Sequence, residues 1–391
     1  MNANTIGTNT VNLFTWMGSN TLRLDGSTET GSGAYTLSGN GSLSAQYQYI
    51  GYSGTGAFTQ SGGTHTLTGS LYLGNTNLGG RGIYRLDGGS LLAANEFITP
   101  NGAFIHSGGT NTVDNLYLGG PYELTGTGVL SAFYVEGNLI NGGIVAPGHS
   151  VGTMTVNGSY TQTAKGTLEA EIASPTSYDR VNVIGNPGTA TLSGTLKPVL
   201  LGGFKPGANQ LFPGVISATG GVTGTFSTLA NQFISPILSW QALYKGNTVD
   251  LLAKADFSNS ALNLTHNQHA LGVMLNGVAN GPTGDLGKVV NTIATLPSNN
   301  QIVKAYQQIS PDKAAALSAL AFAGANLQKR ILSQRITNLR FGSREIGGLG
   351  GRPGSFNFNG SRAGGVMLAY NSSSLAGVLT REGKASPAAP E

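Results

Sequence analysis

Hydrophobic and polar residues alternate in short runs along roughly the first two thirds of the chain, and glycine and asparagine separate the runs. Period-two alternation broken by turn formers predicts short β-strands joined by tight corners. The runs also repeat. Gly33-Ala34-Tyr35-Thr36-Leu37, Gly41-Ser42-Leu43-Ser44-Ala45, Gly56-Ala57-Phe58-Thr59-Gln60-Ser61-Gly62-Gly63-Thr64-His65-Thr66-Leu67 and Leu71-Tyr72-Leu73-Gly74 form one unit. The same order returns at Gly82-Ile83-Tyr84-Arg85-Leu86, Gly89-Ser90-Leu91-Leu92-Ala93, the stretch from Gly102 to Val113, and Leu116-Tyr117-Leu118-Gly119. A third unit opens at Tyr122-Glu123-Leu124 and Gly128-Val129-Leu130-Ser131-Ala132.

Equivalent landmarks in the first two units lie 45 to 49 residues apart, so each unit supplies about two coils of a parallel β-solenoid. Such a coil stacks its strands on the next at ~4.8 Å and buries an inward ladder of Leu, Val, Ile and Phe. At about 20 to 25 residues per coil, residues 1–254 predict ten or so coils, about 50 Å in all. Gly7-Thr8-Asn9-Thr10-Val11 copies Gly109-Thr110-Asn111-Thr112-Val113, so the chain is expected to begin inside a repeat, with an open N-terminal edge, as a truncated protein.

After Ala253 the period changes from two to that of a helix. Helices are predicted over Leu264 to Asn276, Gly284 to Leu296, Ile302 to Ile309 and Asp312 to Arg340. Ser310 is placed as N-cap of the last helix, with Pro311 at its first position. Gly347-Gly348-Leu349-Gly350-Gly351 then predicts a flexible break, and the chain ends in a Pro-containing tail.

Composition adds three points. Charged residues are only 10% of the chain and glycine numbers 61, yet hydrophobic residues still make up 39%, enough for packed strands rather than disorder. Cysteine is absent, which excludes disulfides and thiolate metal sites and suits an exported chain. The net charge of +4 is uneven: residues 1–263 hold 9 basic and 12 acidic side chains, residues 264–391 hold 12 and 5. Basic residues interleaved with aromatics on one face are missing from the glycine-rich part, so nucleic acid is not an expected partner. The first residues carry no signal-peptide pattern, and no apolar run is long enough to span a bilayer as a helix.

Chemistry is suggested most strongly by Gly148-His149-Ser150-Val151-Gly152, which matches the G-x-S-x-G pentapeptide of serine hydrolases. That elbow requires a helix after the serine. Here Thr153-Met154-Thr155-Val156 alternates as a strand, and Asp179 and His266 fit the downstream acid and base only by order. A Pro-Gly corner between two strands is the expected role. His266 and His269 lie at helical i, i+3 spacing, but the repeat sets His65 opposite Asn111 and His106 opposite Gln60, positions that accept any polar side chain, so no metal site is assigned. Glu169 and Glu171 alternate with Leu168, Ala170 and Ile172 and are expected on the solvent face of a strand, which leaves a polysaccharide-lyase chemistry without its acids. Tyr47, Tyr49, Tyr52, Tyr72 and Tyr117 are candidates for a stripe that stacks on sugars.

The order of motifs from Gly143 onward resembles the end of an autotransporter passenger, the bacterial type V secretion system. Pro147, Gly148, Ser150, Gly152 and Tyr160 fill the family's Pro-Gly-x-Ser-x-Gly turn, strand and aromatic; Tyr178 to Val183 and Ala190 to Leu196 are similar to its next coils. Asn263 to Leu271 resembles the Thr-x-Asn-Gln helix start that follows a passenger, and Ile309-Ser310-Pro311 with Arg335 to Arg340 resembles the helical segment before the translocator. The resemblance implies a right-handed parallel β-solenoid followed by an α-helical linker, divided into a repeat-containing stem (1–139), autochaperone-like coils (140–254), a helical segment (255–346) and a tail (347–391). It implies no enzyme activity and no cofactor. It implies an outer-membrane β-barrel translocator as partner, absent from this chain because 40 residues after Gly351 cannot close a barrel, and a place at the cell surface, in the outer membrane or secreted. Lys329, Arg330, Arg335, Arg340, Arg344 and Arg352 suit the end of a helix on dipole grounds and equally a helix inside a polar barrel lumen. A surface adhesin that binds glycans or host matrix through the solenoid face is the alternative.

Overall fold

The computed structural model describes residues 10–12, 15–16, 20–25, 31–281, 284–310 and 312–340. The chain forms two compact units, Met1–Lys313 and Ala314–Glu391. The first is a parallel β-solenoid of about seven turns with helices after it.

Successive coils pair in parallel and in register. Phe58 lies opposite Tyr84, Tyr84 opposite Phe104, and Phe104 opposite Tyr122, steps of 26, 20 and 18 residues, so two coils make one sequence repeat. Inside, alternate residues form ladders. Tyr35, Phe58, Tyr84, Phe104 and Tyr122 stack along the axis with centroids 5.1, 4.7, 4.9 and 5.2 Å apart and are all buried. The coil spacing thus matches ring stacking, worth roughly 0.5–1.5 kcal/mol per pair beyond area burial.

The glycine before each of these aromatics has a packing cause. Gly56, Gly82 and Gly102 are opposite one another across the ladder, and a Cβ on them would run into the carbonyl oxygens of Leu24, Ile50 and Leu73. The corner is therefore too tight for any side chain, and the repeated Gly-x-aromatic pattern records that close approach.

Fewer coils form than the ten or so expected, because the parallel ladder ends at Thr228–Leu229. Phe233–Ser235, Leu238–Tyr244 and Thr248–Ala255 pair antiparallel instead, and Gln210–Ala218 joins the last of them antiparallel. Trp240 and Phe212 meet edge to face at 5.6 Å in the core of this closing sheet. At the other end, Thr10–Asn12 pairs antiparallel with residues 34–36 rather than as a further coil; residues 7–9 of the sequence copy lie outside the described residues.

Among the described residues four α-helices follow: α1 (His266–Val278), α2 (Gly284–Ala294), α3 (Asn299–Ile309) and α4 (Asp312–Arg340). Thr265 caps α1 in a capping box with Gln268, which explains why the helix starts two residues later than its pattern suggests. Ser298 caps α3, and the helix begins three residues before the expected Ile302. Helices α2 and α3 dock on the closing sheet and the segments beside it, and Asn276 Oδ1 of α1 accepts from the Phe257 amide at 2.8 Å. The Tyr306 hydroxyl donates to the Phe257 carbonyl at 2.6 Å, Ser235 Oγ to the Ala294 carbonyl at 2.6 Å, and the Ala208 amide to Asn291 Oδ1 at 2.9 Å. Ser310 ends α3 through its amide bond to the Tyr306 carbonyl; Pro311 lies outside the described residues.

All of α4 but its first two residues lies in the second unit. Its 29 residues span roughly 43 Å, and Phe322, Leu332 and Ile336 are exposed at 73%, 63% and 48%. Gly347 to Gly351, Arg344, Arg352 and the tail lie outside the described residues.

Candidate functional site

The Pro147 to Gly152 segment is a turn between the strands Leu139–Val145 and Thr153–Asn157. A strand, not a helix, follows Ser150, whose side chain is exposed at the tip of the turn. Gly148 takes φ +73, open to glycine, and its amide donates to the Ala132 carbonyl at 2.9 Å. Gly152 donates to Asp179 Oδ1 at 2.8 Å, while Asp179 Oδ2 accepts from the Glu171 amide at 2.9 Å. Asp179 is thus a buried clasp between the turn and the next coil, its carboxyl pushed up to about 7 by burial and then by Glu171 and Glu169. Tyr160 is fully buried and donates to Gln162 Oε1 at 2.8 Å.

A serine, a histidine and an acid do meet at this turn, though not those the motif suggests. His149 Nε2 lies 2.8 Å from Asp114 Oδ1, and its Nδ1 lies 3.1 Å from Ser131 Oγ. Ser131 Oγ donates to the Gly148 carbonyl. The three side chains tie the turn down across two coils. Ser131, His149 and Ser150 border a shallow hollow of about 370 Å³ with Thr110, Thr112 and Glu171.

The other candidates separate by face. His266 and His269 are exposed in the first turn of α1, and among the described residues no three His, Asp or Glu side chains are grouped to hold a metal. Glu169 and Glu171 point outward from the strand Thr167–Ile172, whose Leu168, Ala170 and Ile172 are buried. Glu169 pairs with Lys197 at 2.9 Å, and burial, then Glu169, raises the Glu171 carboxyl. Tyr49, Tyr72 and Tyr117 do share an outward row, completed by Phe97, which the tyrosine pattern alone missed. Centroids are 4.6, 4.9 and 4.6 Å apart and planes within 7°, so each ring covers its neighbour's face. Tyr52 closes one end edge-on at 5.3 Å. Along α4, Lys329, Arg330, Arg335 and Arg340 are all exposed.

The histidines of the repeat are not surface residues. His65, His106, Gln60 and Asn111 are turned inward and fully buried, together with Gln48 and Glu96. His65 Nδ1 bonds the Tyr84 hydroxyl at 2.9 Å, Tyr84 donates to Gln60 Oε1 at 2.5 Å, and Gln60 Nε2 reaches the Gly63 and Ser90 carbonyls. His106 contacts the Tyr122 hydroxyl at 3.0 Å and the Gly109 carbonyl at 3.2 Å. Asn111 Nδ2 donates to Glu96 Oε2 at 2.9 Å. Burial pushes His65 down to about 3 and His106 to about 4, and Glu96 up to about 8. The sequence signal was present: Gln60 and His106, His65 and Asn111, and Gln48 and Glu96 are equivalent positions that stay polar from one repeat to the next.

Fold and sites together define a repeat protein of the parallel β-solenoid class, with a closing sheet and helices at its C-terminal side. No protein-family model matches the chain, and no curated protein matches it.

Proposed function

We propose that this chain is a non-enzymatic stem of a bacterial autotransporter passenger, supporting surface display and folding during type V secretion. The observation that carries the reading is the succession itself: a parallel β-solenoid closed by an antiparallel sheet, three docked helices, and a 29-residue helix exposed along its described surface. In this reading α4 enters an outer-membrane β-barrel translocator, and Lys329, Arg330, Arg335 and Arg340 meet its polar lumen. Pro147, Gly148, Ser150, Gly152 and Tyr160 form a structural corner, supported by the bonds that tie it to Ala132 and Asp179.

The coils from 140 to 254 act as the autochaperone-like region. Their buried polar side chains support this: Asn141 bonds the Tyr160 hydroxyl and Thr167 carbonyl, and Gln162 bonds the Gly166, Ser193 and Thr195 carbonyls. The buried side-chain atoms without a protein partner, among the described residues, fall between Gln48 and Asn111. Coils whose polar groups are satisfied cost least to form alone. The test is epitope labelling of intact cells that express the full-length gene product. Surface labelling is expected, and an epitope reached only after lysis overturns the reading.

An adhesin is the second reading, favoured by the outward row Tyr49, Tyr72, Phe97 and Tyr117. Because the rings cover one another, glycans would meet phenol hydroxyls and ring edges rather than open faces. A glycan array in which this chain gives no signal above an unrelated solenoid removes it.

A further inference from the structure

The solenoid interior carries polar side chains in a regular order. On one inner column the sequence of residues is Leu43, His65, Leu91, Asn111, Leu130; on another it is Leu22, Gln48, Leu71, Glu96, Leu116. Each column alternates apolar and polar, and the two are out of phase. His65 and Leu71 share one coil, Leu91 and Glu96 the next, Asn111 and Leu116 the one after. The polar side chains therefore follow a zigzag across the core. Gln48 and Glu96 occupy equivalent places in successive repeats, as do His65 and Asn111.

These four residues are at most 1% exposed, and they hold five side-chain atoms without a partner in the protein: Gln48 Nε2 and Oε1, His65 Nε2, Glu96 Oε1 and Asn111 Oδ1. Leaving so many buried polar atoms unmatched is expensive, and the two repeats keep the polarity while changing the residue. Alternation with leucine shows that apolar side chains fit the same columns.

We infer that the core between Gln48 and Asn111 binds ordered water molecules, which bridge Glu96 to Asn111 and complete the bonds of Gln48 and His65. Water suits the set because the atoms are mixed. Glu96 Oε2 accepts from Asn111 Nδ2, so the proton of the neutral carboxyl sits on Oε1, which donates to a water that in turn donates to Asn111 Oδ1, while Gln48 presents a donor and an acceptor, and a buried water makes about three bonds. A cation fits less well. Gln48 Nε2 turns a donor on it, and the Glu96 carboxyl, raised by burial, is neutral up to about pH 8.

Two measurements on the full chain decide this. A crystal structure that resolves solvent is expected to show density at hydrogen-bond distance, about 2.7–3.2 Å, from at least three of the five atoms. Side chains re-paired with one another, or no density beside them, would overturn the inference. In solution, oxygen-17 relaxation dispersion counts long-lived internal waters, and Asn111→Leu is expected to lower the count relative to the native chain. An equal count in a folded Asn111→Leu variant also overturns it; should that variant fail to fold, the crystal structure of the native chain decides.

Discussion

Single buried residues set how this solenoid responds to pH. Unfolded histidines titrate near 6.5, whereas His65 and His106 hold out to about 3 and about 4. The unfolded chain takes up their protons first, so their contribution to stability is lost as pH falls below about 6.5. Glu96 and Asp179 work the other way. Their folded values of about 8 and about 7 exceed those of the unfolded chain, so stability is present at low pH and lost as pH rises through them. The two effects offset each other between about pH 4.5 and 6.5, and only the carboxyl loss operates above. Thermal melts are expected to peak in that window and fall towards pH 8. Glu96→Gln keeps an acceptor for Asn111 and removes the charge, so it should flatten the fall by an amount on the order of a few kcal/mol; identical profiles for variant and native chain would discount Glu96. Gly82 offers a steric counterpart. Gly82→Ala drives a Cβ into the Ile50 carbonyl and should cost about 4 kcal/mol or more in chemical unfolding, while Gly246→Ala, with nothing near the new methyl, should change little.

Elements form where local chemistry and packing agree. Strands were legible because alternation survives burial on one side, as in Thr167–Ile172, and a Gly-x-aromatic start marks one corner in each coil of the repeats. Helix starts were less legible by a few residues, since caps rather than periodicity fix them. Thr265 shows this: its side chain takes the Gln268 amide while Gln268 returns a bond to the Thr265 amide at 3.0 Å. Thr265→Ala should lower stability by about 1 kcal/mol, read as a loss of protection of the first-turn amides of α1 in hydrogen exchange. Unchanged protection would show that docking, not the cap, holds the helix end.

At the scale of the whole molecule, the solenoid with α1 to α3 and the region from Ala314 onward are separate compact units. A chain ended after Lys313 should keep the native thermal midpoint to within a few degrees, because its core from Leu22 to Tyr306 is complete without α4. A large drop in the melt of the shortened chain would show that α4 stabilises the solenoid.

The solenoid, its two-coil repeat, the corner at Pro147 and the helices were legible in the order of residues, because period and glycine placement are local consequences of strand geometry and corner sterics. Only the folded stack decided which polar side chains face inward. His65, His106, Gln48 and Glu96 are polar by sequence and buried by register, since a parallel stack fixes every residue's face from its neighbour's. It also decided that the coils end at Thr228–Leu229 and close with an antiparallel sheet, an outcome set by pairing between residues far apart in the chain.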